Sequence, residues 1–205
     1  QRGIQKVETG RLEDACVFFR AALERIPVYV AAKEHLAETL QALGRREEAT
    51  RLYEEVVKLS DDPEFVHALA ALYEASGRTA EARDLDAKAR AGYAALLQKY
   101  PEAMYWHAAE FFLATGDAHR ARDLLARNVE LRPNSTSFVA LAGAELAVGR
   151  LGEARAAIDR ALAMPVVSGK LFFTASRIYA AQGDAASAER FRARAEKVNP
   201  RAAEP

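Results

Sequence analysis

Six glycines recur along the chain at nearly fixed intervals. Gly10, Gly44, Gly77, Gly116, Gly149 and Gly183 are separated by 34, 33, 39, 33 and 34 residues. Five residues after each stands an alanine: Ala15, Ala49, Ala82, Ala121, Ala154 and Ala188. Seven residues before each of the last five stands a small residue: Ala37, Ala70, Ala109, Ala142 and Ser176. A unit of this length cannot bury its own apolar face, so units of this kind must stack.

The glycines divide the sequence into helix-forming stretches. Residues before a glycine, such as "AAKEHLAETLQAL", form a helix A; residues after it, such as "REEATRLYEEVVKL", form a helix B. Apolar residues in both recur at three- and four-residue spacing, the period of an amphipathic helix. A glycine adopts the left-handed conformation that ends one helix and opens a tight turn. The small residues belong where two antiparallel helices approach most closely, because a larger side chain would force them apart. Pro27, Pro133 and Pro200 close B helices, and no segment carries a strand pattern.

These columns resemble the tetratricopeptide repeat. That family pattern places a large residue, then Leu-Gly, then Tyr in helix A; a glycine at the turn; then Ala, an aromatic, Ala and Pro in helix B. The segment "GRLEDACVFFRAALERIP" supplies Gly10, Ala15, Phe19, Ala22 and Pro27. The second unit supplies Leu36, Ala37, Leu40, Gly44, Ala49 and Tyr53, and Tyr73 and Tyr179 fall in the helix A tyrosine column. Asp86 and Arg192 depart from the helix B aromatic, and Glu145 departs from the tyrosine. The resemblance implies an all-α, right-handed superhelical solenoid of antiparallel helix pairs, with about 5.5 repeats in one domain over residues 1–205. The repeats are expected at 1–29 (partial), 30–62, 63–100, 101–134, 135–168 and 169–202.

Two irregularities follow. Residues 1 to 9 supply only the end of a first helix A, which reads as an N-terminal edge without a complete cap. The chain also begins at Gln1 with neither methionine nor signal pattern, which reads as a fragment whose compartment is not encoded here. The 39-residue interval lengthens the B helix of the third repeat, "TAEARDLDAKARAGYAALLQKY". Either this helix runs on continuously, or Gly92 kinks or divides it at a cost near 1 kcal/mol relative to alanine. A continuous helix would bend the solenoid or form a ledge bearing Tyr93, Leu97 and Tyr100.

The sequence holds no catalytic constellation. His35, His67, His107 and His119 lack metal-ligand spacing, the glycines form no phosphate loop, and Cys16 reads as a packed small residue. No enzyme activity, cofactor or metal is expected. Lys plus Arg and Asp plus Glu are both 29, and the pI is about 7.1, so nucleic-acid binding is not expected. The positions that would read bases in a pentatricopeptide repeat are Glu34, His67, Trp106, Val139 and Phe173, which is not a polar code. No apolar run reaches the roughly 20 residues that span a bilayer.

The class that remains is a protein-interaction scaffold. In the tetratricopeptide register, the inner helix A face lies ten, six and three residues before each glycine. It presents Glu34, Glu38 and Gln41, then His67 and Glu74, then Trp106 and Glu110, then Val139, and finally Phe173 and Arg177. The Lys-Asn-Arg clamp that some family members use on acidic tails is missing. The expected partner is a protein or peptide with basic residues for the glutamates and an apolar anchor for Trp106. The alternative is self-assembly into a homo-oligomer through the N-terminal edge or the long third-repeat helix. Within "YPEAMYWHAAEFFLATGD", Phe112 is expected in the core, and Trp106, the sole tryptophan, at the groove.

Overall fold

The computed structural model describes residue 3 and residues 11–199. The expected edge at residues 1 to 9, the turn at Gly10 and the stop at Pro200 lie outside the described residues, Gly3 apart. Every regular element among the described residues is a helix: α1 (Leu12–Arg25), α2 (Val30–Ala42), α3 (Arg46–Leu59), α4 (Pro63–Ala75), α5 (Thr79–Lys99), α6 (Pro101–Ala114), α7 (Ala118–Leu131), α8 (Ser135–Ala147), α9 (Leu151–Leu162), α10 (Gly169–Ala181) and α11 (Ala185–Val198). The fold is all-α and built from helix pairs. Its contacts divide it into two compact units, Gln1–Leu96 and Leu97–Pro205.

The turn chemistry follows the glycine column. Gly44, Gly77, Gly116, Gly149 and Gly183 have φ between +76° and +82°. The next residue donates its backbone N–H to the carbonyl five residues back: Arg45 to Leu40 at 2.8 Å, Arg78 to Tyr73 at 2.9 Å, Asp117 to Phe112 at 2.8 Å. Arg150 to Glu145 at 2.9 Å and Asp184 to Tyr179 at 3.0 Å complete the set. This is the Schellman closure, which satisfies carbonyls orphaned at a helix end. The tyrosine column therefore sits at a fixed place in each turn.

The small columns are all inside. Ala15, Ala49, Ala82, Ala121, Ala154 and Ala188 are buried, as are Ala37, Ala70, Ala109, Ala142 and Ser176. In the first unit Phe19, Leu36, Leu40, Tyr53, Val56 and Leu69 pack around them. In the second unit Phe138, Ile158, Leu171, Phe172 and Ile178 do the same. Burial raises the Cys16 thiol above its ordinary pKa, as expected of a packed residue.

The departures from the family pattern are accommodated in place. Asp86 accepts or shares a hydrogen bond with His67 Nδ1 at 2.8 Å, so a polar pair replaces the helix B aromatic. Glu145, buried in the tyrosine column, has Arg150 Nε at 3.5 Å. Its neighbours in that column use a hydroxyl instead: Tyr73 donates to Glu54 at 2.9 Å and Tyr179 to Asp159 at 3.2 Å.

Helix α5 is continuous over 21 residues, about 32 Å at 1.5 Å per residue. Gly92 does not divide it. A Cβ at Gly92 would lie 3.0 Å from Pro63 Cβ, so the glycine is where α5 passes close to the first turn of α4. The ledge is also corrected: Tyr93 is buried and Leu97 half-buried, leaving only Tyr100 exposed.

Candidate functional site

Two open cavities lie on helix A side chains, one in each unit. In the first, α2 and α4 each contribute their N-terminal half. Tyr29, Val30, Ala31, Glu34, His35 and Glu38 face Glu64 and Phe65 around about 630 Å³. Helix spacing of four residues puts Glu34 and Glu38 on one face. Glu34 is set deep, its side chain 15% exposed, and Glu38 lies in solvent. His35 Nδ1 is 2.9 Å from Glu34 Oε2 and 3.8 Å from Glu38 Oε2.

The cavity is electrostatically crowded. Burial, then the nearby charges of Glu38, Glu64 and Asp62, raise the Glu34 pKa from 4.5 to about 7. Burial, then the charges of Glu34, Glu38 and Glu64, hold the Tyr53 hydroxyl well above its ordinary range. Lys33, the adjacent cation on α2, is engaged by Glu55 of α3. Donor atoms of Glu34, His35 and Glu38 all lie within 4.8 Å of one another, a set of the kind that holds a divalent metal.

In the second unit, Trp106 on α6 is half-buried and lines a cavity of about 460 Å³. Ala103, His107, Asn128, Arg132 and Val166 share the lining with residues 134–137 at the start of α8. The polar groups here satisfy one another. Asn128 donates to Ser137 Oγ at 3.0 Å, and Arg132 donates to Asn128 Oδ1 at 3.1 Å and to the Glu102 carbonyl at 3.0 Å. Asn134 caps α8 by accepting from Ser137 N at 3.0 Å.

The residues marked from sequence separate into groups. Glu34 and Glu38 are brought together, and Trp106 borders a cavity. Gln41, Glu74, Glu110 and Arg177 are exposed and line neither cavity. His67 is half-buried and tied to Asp86 of its own repeat. Phe173 is half-buried against the core of its unit. Val139 is a correction: it is buried in that core, grouped with apolar residues of the neighbouring α9 and α10. Sequence reasoning missed Tyr29, His35, Glu64 and Phe65. The signal for His35 was present in "EHLAE", where it stands one residue from Glu34 and three from Glu38.

Paired helices with glycine turns and buried small columns define a helical-repeat protein of the scaffold class. Tetratricopeptide-repeat family models match residues 30–60 and 63–85. The chain therefore carries tetratricopeptide repeats. No curated protein matches it. Among solved structures it is similar to a tetratricopeptide repeat protein from Parabacteroides merdae, with TM-score 0.70 and 16% identity over 96% of this chain and 76% of that one. It is also similar to a thermophilic tetratricopeptide-repeat protein of Thermus thermophilus, with TM-score 0.66 and 22% identity over 88% and 95%. A third is PilW, a type IV pilus biogenesis factor, with TM-score 0.62 and 20% identity over 98% and 91%. At these identities the likeness concerns the fold. No helix among the described residues is long and apolar enough to cross a membrane.

Proposed function

We propose that this chain is a non-catalytic scaffold that holds a partner protein by a segment bearing both basic and apolar residues. Protein interaction is the general role of the repeat class; the partner chemistry is the finer reading. The observation that carries it is Trp106, a large aromatic left half-buried at the rim of an open cavity. Tryptophan in such a position suits a binding anchor. Glu34 and Glu38 add a negative pocket on an A helix for the basic residues, with Glu74 and Glu110 exposed on others.

Affinity capture with the intact protein, read by mass spectrometry, tests the proposal. A partner retained by the wild type and lost on Trp106→Ala is the expected result. Equal retention by both proteins removes Trp106 as the anchor.

Self-assembly is the second reading. Val17 and Phe18 on α1 are exposed, as are Ile26 and Val28 after it. Light scattering over a concentration series separates the two: a mass that rises with concentration favours assembly, and a constant monomer with a captured partner favours the scaffold.

A further inference from the structure

We infer that the cavity between the N-terminal halves of α2 and α4 receives a single arginine side chain from the partner segment. This rests on the scaffold reading and names what one of its pockets takes.

Charge complementarity carries the argument. Glu34 is sunk into the wall, and the charges acting on it from Glu38, Glu64 and Asp62 are all negative. His35 is within hydrogen-bond distance of Glu34, but the permanent cation of the same turn, Lys33, is engaged by Glu55. A half-buried carboxylate crowded by like charges is costly, and an incoming cation relieves that cost. The walls choose among cations. Tyr29 is exposed, and Phe65 and Val30 are half-buried, so the charged floor has aromatic and aliphatic sides. A guanidinium is flat and weakly hydrated. It stacks on rings and presents its donors to carboxylates in a fork, whereas an ammonium is a strongly hydrated point charge. The aliphatic stem of arginine suits Val30.

The test uses the whole chain and three acetylated, amidated tripeptides, Leu-Arg-Leu, Leu-Lys-Leu and Leu-citrulline-Leu, titrated at low salt and followed by backbone amide NMR shifts. Citrulline keeps the shape of arginine and removes its charge. The expected result is saturable shifts at residues 29–38 and 64–65, with the arginine peptide binding about tenfold more tightly than the citrulline peptide. The lysine peptide should fall between them. The double variant Glu34→Gln, Glu38→Gln, nearly isosteric, should abolish the preference.

Equal binding of arginine and citrulline overturns the pocket, whether or not the variant folds. Lysine equal to arginine overturns the choice of arginine. A zinc titration supplies a further outcome: saturable zinc shifts at Glu34, His35 and Glu38 without any arginine preference make this a metal site instead. Partner capture lost on Trp106→Ala but unchanged in the double glutamine variant removes the arginine pocket and keeps the scaffold. Capture unchanged in both removes the groove reading itself.

Discussion

The two cavities start from the same repeat position and arrive at opposite chemistry. Glu34 and Trp106 each stand ten residues before their turn glycine. The tryptophan cavity is internally settled, with Asn128, Arg132 and Ser137 hydrogen-bonded to one another. The acidic cavity keeps a half-buried carboxylate among other carboxylates. One offers shape, the other a concentration of carboxylates. The repeat fixes where a side chain is presented and leaves its chemistry free.

That contrast breaks most visibly at α6. Phe112 is fully buried there, while Trp106 on the same helix is half-buried. Phe112→Ala should cost about 3–5 kcal/mol of stability in urea unfolding, through lost burial and the cavity left behind. Trp106→Ala should cost well under half as much while losing the partner. Similar losses for both would mean that Trp106 is core and not an anchor.

The acidic cavity predicts a stability gain. The folded state raises the Glu34 pKa from 4.5 to about 7, so it holds a proton that the unfolded chain releases. Stability therefore falls as pH rises through that window. Glu34→Gln, which carries no charge, should be more stable than the wild type at pH 8 by about 2 kcal/mol. The difference should vanish near pH 4, where Glu34 is protonated in both states. Thermal melts of the two proteins across pH give the comparison, and a gain independent of pH would contradict the electrostatic cause.

The smallest effect sharpens the other side. Asn128→Ala removes a buried side chain that donates to Ser137 and accepts from Arg132. It should cost about 1–2 kcal/mol with little dependence on pH, since no ionised carboxylate side chain takes part. A steep pH dependence would erase the distinction between the two cavities.

The fold was legible because its turns and closest contacts are written by residue types that few other positions require. Glycine at a left-handed turn and alanine at a tight crossing recur in register, and each described member of those columns is where the pattern placed it. The site was legible only in part. The column assigned Val139 to the inner face, but it is buried with apolar residues of the neighbouring helices. His67 was marked for a partner and is instead held by Asp86, 19 residues further on, the very residue that broke the aromatic column. Gly92 was read through local helix preference, whereas its role comes from Pro63 in the preceding helix. A column gives a direction. It does not say which distant side chain waits there.

The five turn glycines carry a consequence for handedness. A Cβ built at Gly44, Gly77, Gly116, Gly149 or Gly183 meets nothing within 4 Å. Space does not exclude a side chain at these places; the chirality of natural amino acids does. At φ near +80° an L-residue is strained, and its mirror image is at ease. Each turn is thus one mirror-image step in a right-handed chain, held by the single residue type that takes either hand.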